Sequence, residues 1–273
     1  MFSPLGRRLT FLTGVLFVAL GGAMFVAPHW AARSFAWKVS PFLAMTIGAW
    51  YVGTGVFALE CTRVGRLART YAALVYVWLF AGLEALVVVV HANDLALGKA
   101  LTWPYLVTLT VGVAAAVVGI VDVARTRPEP REPGIRNPLA FRVIAVAFVA
   151  AVTLLALPLL DGYDNPPSIW PGPLTLASAR GFAAFFGSLA LSSLLLVFAR
   201  NIEVVLTYLR PAVVLNVVIL VAALVFLGRF DFGDHPGQFL YVGLYVFVLV
   251  GAGVMLVYGV HRAEAPVGQP SLR

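Results

Sequence analysis

Two charged side chains stand inside stretches that are otherwise apolar, and these are the residues best placed to do chemistry. Glu84 lies within 70–90 and Arg180 within 174–198. A charge facing hydrocarbon is costly, about 2.5–3.5 kcal/mol for arginine near a helix centre, so such groups pair, face a cavity or reach for headgroups. The two sit at similar depth in separate halves of the chain. The economical reading is an ion pair, Glu84–Arg180, that registers the halves. The competing reading is a ligand or ion site that uses one or both.

A second set lies near the ends of apolar stretches. His91-Ala-Asn-Asp94 and Asp231-Phe-Gly-Asp234-His235 bring imidazole and carboxylate groups to two loops, and His29 occupies a third. Three such groups can hold Zn²⁺ or another divalent ion. The same residues also serve as turn formers and helix caps, and their spacing lacks the close repeat of a dedicated metal motif.

Cofactor chemistry finds little support. The histidines (His29, His91, His235 and His261) all fall at stretch ends, where a haem clamped between two mid-membrane imidazoles has no place. Lys38 and Lys99 are the only lysines and lie outside the apolar stretches, so a buried Schiff base is excluded. No cofactor is expected. Ser188, Ser192 and Ser193 have no histidine in their stretch, and hydroxyls bonding back to helix carbonyls account for them.

The elements that must position these groups are membrane spans. Hydrophobic residues make up 61% of the 273-residue chain and charged ones 11%, far from a soluble mixture. A bilayer core of about 30 Å needs about 20 apolar residues per helix. Eight stretches qualify: 9–27, 41–59, 70–90, 101–121, 141–160, 174–198, 211–227 and 239–260. An all-α integral membrane protein follows, with no room for a soluble domain. The first stretch is longer than the apolar region of a signal peptide and has a counterpart at 141–160, so it reads as a retained helix. Pro41, Pro173 and Pro211 each mark a helix start, where the missing N–H is harmless.

The stretches fall into two similar sets of four. Trp37 recurs as Trp170, Gly48 as Gly181, His91/Asp94 as Asp231/Asp234, Tyr105 as Tyr245 and Gly119 as Gly259, roughly 133–140 positions on. The expected organisation is a four-helix repeat over 1–124, a proline- and charge-rich linker over 125–140, a second repeat over 141–262 and a tail over 263–273. An even number of spans per unit makes the repeats parallel, unlike the inverted repeats of many carriers. In this register Glu84 corresponds to Leu224 and Arg180 to Ile47. Small residues four apart, Ala44/Gly48, Ala49/Gly53 and Ala179/Ala183/Gly187, predict close helix packing, with spans two and six near the axis.

The net charge of +7 does not point to nucleic acid, because of where the charge lies. Arginines near 7–8, 63–69, 125–142, 200–210 and 262 share one side of an eight-span chain. Arg33, Lys38, Lys99 and Arg229 occupy the other. The positive-inside rule then puts both termini in the cytoplasm of a cell whose plasma membrane holds the protein. Trp30, Trp37, Trp103 and Trp170 gather at outer ends as an aromatic belt, and 28–40 reads as an interfacial helix with Trp30, Arg33, Ser34 and Trp37 on one face. Arginine far in excess of lysine, with abundant alanine and valine, suggests a bacterial, GC-rich genome.

Two functional classes compete. One is a non-enzymatic membrane component that docks a membrane partner or a second copy of itself. The other is a transporter or binding protein for a small apolar or weakly charged molecule, held in a crevice between repeats. An enzyme acting on lipids would need several acid–base groups at one depth, and only the outer His/Asp set offers them. The first two are separated by whether Glu84 and Arg180 meet each other or face a cavity.

Overall fold

The computed structural model describes residues 3–125, 135–162 and 169–264. The linker over 126–134, most of the loop after position 160 (163–168) and the tail over 265–273 lie outside the described residues. Within them the chain forms α1 (Pro4–Val26), α2 (Pro28–Ser34), α3 (Pro41–Val64), α4 (Leu67–Val90), α5 (Thr102–Arg125), α6 (Leu139–Leu160), α7 (Leu176–Phe198), α8 (Ile202–Val225) and α9 (Gln238–Glu264). All but the short α2 are long and apolar enough to cross a membrane, which makes this a multi-pass helical protein.

Local chemistry sets many of the helix starts. Ser3 accepts from Gly6 N, Ser40 from Leu43 N and Thr175 from Ser178 N, satisfying donors that a first turn leaves unpaired. Pro4 and Pro41 follow such caps at the first helical position. Gly65, with φ of 68°, ends α3 in a left-handed conformation that a side chain would disfavour.

Several spans run further than their apolar stretches. α3 continues to Val64, α4 begins at Leu67 and α5 reaches Arg125, because arginines at helix ends keep their heads in water while their stems cover apolar surface. Pro211 is a correction. It does not start a helix but lies within α8, which begins at Ile202 behind an Asn201 cap donated to by Glu203 N at 2.9 Å. The cap and the apolar run 202–209 outweigh one missing N–H, and the carbonyl of Thr207 forgoes its usual donor.

α2 is shorter than the expected interfacial helix and stops at Ser34. The chain beyond it turns inward, held by Ala96 N donating to Ala36 O (2.7 Å) and Leu101 N to Ser34 O (2.9 Å). Trp37 is therefore buried, 7% exposed, against Phe35 and Tyr105. Trp170 is buried likewise against Phe182 and Tyr241. Of the expected aromatic belt only Trp30 and Trp103 are exposed.

α3, α4, α7 and α8 form the inner layer. α3 packs on α8, α4 packs on both α7 and α8, and α1 and α5 flank one side while α6 and α9 flank the other. The closest approach joins α1 to α3. A Cβ on Gly48 would stand 2.8 Å from the carbonyl oxygen of Gly21, and one on Gly21 would stand 2.6 Å from that of Gly48, so the two backbones touch as small-residue faces allow. Of the small residues expected to form ridges on α3, Gly48 thus serves α1 and Gly53 faces Leu215 of α8 rather than α7. α3 and α7 meet instead through rings, with Trp50 stacked on Phe185 at 4.4 Å and 8°.

Candidate functional site

Glu84 projects from α4 into the space between α5 and α7 and is 3% exposed. Its carboxyl accepts a hydrogen bond from the hydroxyl of Tyr105 on α5 at 3.0 Å. Tyr51 of α3 stacks on Tyr105, with ring centroids 6.1 Å apart, and its hydroxyl interacts with that of Tyr105. On the other flank Gly181 leaves room: Oε1 of Glu84 lies 3.3 Å from where a Cβ on that glycine would be. The carboxyl is enclosed by three helices from both halves of the chain.

Arg180 does not reach it. Its Nε donates to the carbonyl of Leu160 at 3.1 Å and its Nη1 to Nε2 of His91 at 3.2 Å. No Glu84–Arg180 ion pair occurs, which corrects the economical expectation. The cause is helix geometry. Successive residues point about 100° apart, so turning Gly181 toward Glu84 swings Arg180 toward the end of α6. There it satisfies a terminal carbonyl that the helix itself cannot. His91 caps α4, and Asp94 Oδ2 sits 2.9 Å from its Nδ1. With the guanidinium donating to Nε2, the ring proton belongs on Nδ1, facing Asp94.

Beyond the His91–Asp94 contact, the loop histidines and aspartates do not gather into one site. Asp231 accepts the backbone N–H of Asp234 at 3.1 Å, and its own N–H is bonded by Gln238 at 2.7 Å. His235 N donates to the backbone carbonyl of Asp231, and the ring of His29 faces Phe226 at 6.3 Å. Among the described residues no three His, Cys, Asp or Glu side chains converge as metal ligands. Turn formation explains Asp231, and the Arg180 network explains His91 and Asp94.

Charged contacts between the halves do exist, at the opposite end of the bundle. Arg210 of α8 lies 3.4 Å from Glu60 of α3, which also holds Arg63 at 2.6 Å, and Arg69 of α4 lies 3.8 Å from Glu203 of α8. Sequence reasoning passed over both acids. The available signal was that Glu60 and Glu203 are rare carboxylates in an arginine-rich rim.

A narrow cleft was also missed. α1 packs along α5, whereas α6 and α9 scarcely touch. The gap between them leads to α7 and α8 through an apolar cleft with a cavity of about 80 Å³. Phe148, Phe186, Leu215 and Val248 contribute its apolar wall. Polar groups punctuate it. Tyr208 on the wall hydrogen-bonds Ser192 and Ser193. Tyr245 lines the wall as well, with its hydroxyl fully buried beside the Tyr241 hydroxyl and the Trp50 Nε1. At the far end Asn137 donates its amide to Leu196 O and Ala199 O and leaves its own buried oxygen unbonded. Buried polar atoms without partners cost about 1–3 kcal/mol each.

No protein-family model, curated protein or solved structure matches the chain. The functional reading rests on geometry alone.

Proposed function

We propose that this membrane protein binds a mainly apolar, chain-like molecule bearing one hydrogen-bonding group, in the cleft between α6 and α9. The observation that carries the reading is the polar cluster of Tyr245, Tyr241 and Trp50 buried in and behind the wall of an otherwise apolar cleft. Ligand sites in general combine an apolar lining with a few convergent polar groups. A cavity of about 80 Å³ is narrow beside the roughly 300–1,000 Å³ of drug-sized sites, so an extended chain suits it better than a fused ring. The ligand's polar group would meet the Tyr245 hydroxyl once it turns from Tyr241 and Trp50 toward the cleft.

We further propose that the cleft arose by divergence of two parallel four-helix repeats. Three observations support the duplication. α3 pairs with α8 as α4 pairs with α7, the exchange a twofold axis along the membrane normal would produce. α4 and α8 end on His91 (φ −106°, ψ 25°) and Phe226 (φ −107°, ψ 26°), each followed by a three-residue 3₁₀ turn. Trp37 meets Tyr105 at 5.5 Å and 79°, and Trp170 meets Tyr241 at 5.6 Å and 72°. In this register the partner of Tyr105 is Tyr241 and that of Glu84 is Ile219. The first repeat is closed between α1 and α5, and the second is parted between α6 and α9. The arginine-rich end, with both termini, belongs in the cytoplasm of a bacterial plasma membrane by the positive-inside rule.

Native mass spectrometry of the full chain, extracted gently with its own lipids, tests the binding. A retained small molecule is expected. It should be lost in Gly251→Leu, since Gly251 lines the cleft and a Cβ there meets nothing within 4 Å. Retention should fall in Tyr245→Phe, which removes only that hydroxyl. Absence of any small molecule, or retention unchanged in both variants, overturns the reading. A stoichiometric protein partner in its place would make the chain a complex subunit.

A further inference from the structure

A second groove lies on the other flank of α6, facing the bilayer. Its floor is the small-residue face of α7: Ala183, Ala184, Gly187 and Ala190. Its walls are Leu86 and Val90 of α4 and Leu157 and Leu160 of α6, all well exposed. The groove measures about 550 Å³ and ends at Arg180. In a membrane such a face is covered by hydrocarbon, and the width left by alanine and glycine suits a chain lying between the helices.

Arg180 stands where that chain would end in a headgroup. It occupies the beginning of α7, level with the last residue of α6, whose carbonyl it bonds. A guanidinium has five N–H donors. Leu160 O and His91 Nε2 take one each, leaving three. Among the described residues two carboxylates are near. Asp94 is engaged by His91, and Asp161 adjoins Leu160, yet neither forms an ion pair with Arg180. His91 and the Leu160 carbonyl hold the guanidinium in place, so its open edge is preorganised. Planar donors of this kind match phosphate oxygens.

We propose that this groove is a specific site for an anionic phospholipid, one acyl chain lying over Ala183–Ala190 and the phosphate bound by Arg180. The lipid neutralises a cation that the protein leaves unpaired among its described residues. It also bridges α4, α6 and α7, and so joins the two halves on this side. The site is separate from the α6–α9 cleft and does not depend on the ligand proposed there.

The full chain is reconstituted in vesicles of phosphatidylglycerol and phosphatidylcholine with identical acyl chains, and lipids retained after extraction are counted by native mass spectrometry. Wild type should retain one phosphatidylglycerol about fivefold in preference to phosphatidylcholine, the factor expected for one basic side chain near a charged surface. Arg180→Gln should remove the preference while some lipid is still retained. Gly187→Leu should expel both lipids without touching Arg180, since a Cβ at Gly187 meets nothing within 4 Å. If Arg180→Gln does not fold, Gly187→Leu decides alone. Inorganic phosphate at millimolar concentration should not displace the lipid. Equal retention of the two lipids by wild type, retention indifferent to Gly187→Leu, or displacement by free phosphate would each overturn the assignment.

Discussion

The contact between Glu84 and Tyr105 gives the sharpest test of how the interior is organised. Tyr105→Phe deletes one hydroxyl from a fully buried ring and leaves the Glu84 carboxyl without its 3.0 Å donor. A hydrogen bond to a carboxyl group is worth about 1.5–3 kcal/mol in soluble proteins if the group is charged. Inter-helix bonds in a membrane protein average about 0.6 and reach about 1.7 kcal/mol, because the unfolded chain finds other partners in the bilayer. Burial on all sides and the single donor argue for the upper part of that range, so Tyr105→Phe should destabilise by about 1–1.7 kcal/mol. Glu84→Met removes the acceptor while roughly keeping length. In that background Tyr105→Phe should cost about 1 kcal/mol less, the rest of its cost being the lost contact with the Tyr51 hydroxyl. Reversible unfolding in mixed micelles, titrated with SDS, measures all four corners. The same cycle with Arg180→Leu in place of Tyr105→Phe should give a coupling below about 0.5 kcal/mol. Equal losses for Tyr105→Phe in both backgrounds, or a larger coupling of Glu84 to Arg180 than to Tyr105, would refute the assignment of partners.

Gly48→Val should destabilise by about 1–3 kcal/mol through overpacking, since its Cβ would press on the Gly21 backbone; the same SDS titration reads it, and a neutral result would mean α1 and α3 are not in close contact. Glu60→Gln should cost no more than about 1 kcal/mol, as partly exposed pairs do, and the loss should shrink in high salt. A salt-independent loss would assign Glu60 a role other than pairing with Arg63 and Arg210. Gly98 lies in the loop between α4 and α5, where a Cβ meets nothing within 4 Å. Gly98→Cys in a Cys61→Ala background should be labelled by a membrane-impermeant maleimide on intact cells. Labelling only after lysis would reverse the proposed orientation. Native Cys61, fully buried, should react only after denaturation, and ready labelling in micelles would contradict the packing of α3 on its neighbours.

Composition and span length were enough to establish the class and all eight spans, because crossing a bilayer depends on the apolar content of each segment taken alone. The helix start at Pro41, and Asp231 as a turn former, were legible for the same local reason; Pro173 stands two residues ahead of the Thr175 cap that starts α7. Pro211 was misread since a proline says only that one donor is missing, and the neighbouring Asn201 cap and apolar run decide whether the helix passes through it. The pairing of Glu84 was settled by tertiary packing. Depth along the sequence matches it with Arg180, but rotation about the helix sends Arg180 to His91 and Leu160 while Tyr105 arrives from another helix. Trp37 and Trp170 carry the residue type of a membrane interface, and only the inward turn of the chain after α2 and the packing of α7 and α9 put them inside. The parting of α6 from α9 has no single-residue signature at all. It depends on how four outer helices share the surface of the inner four, so both the cleft at Tyr245 and the groove ending at Arg180 exist only once the whole bundle is assembled.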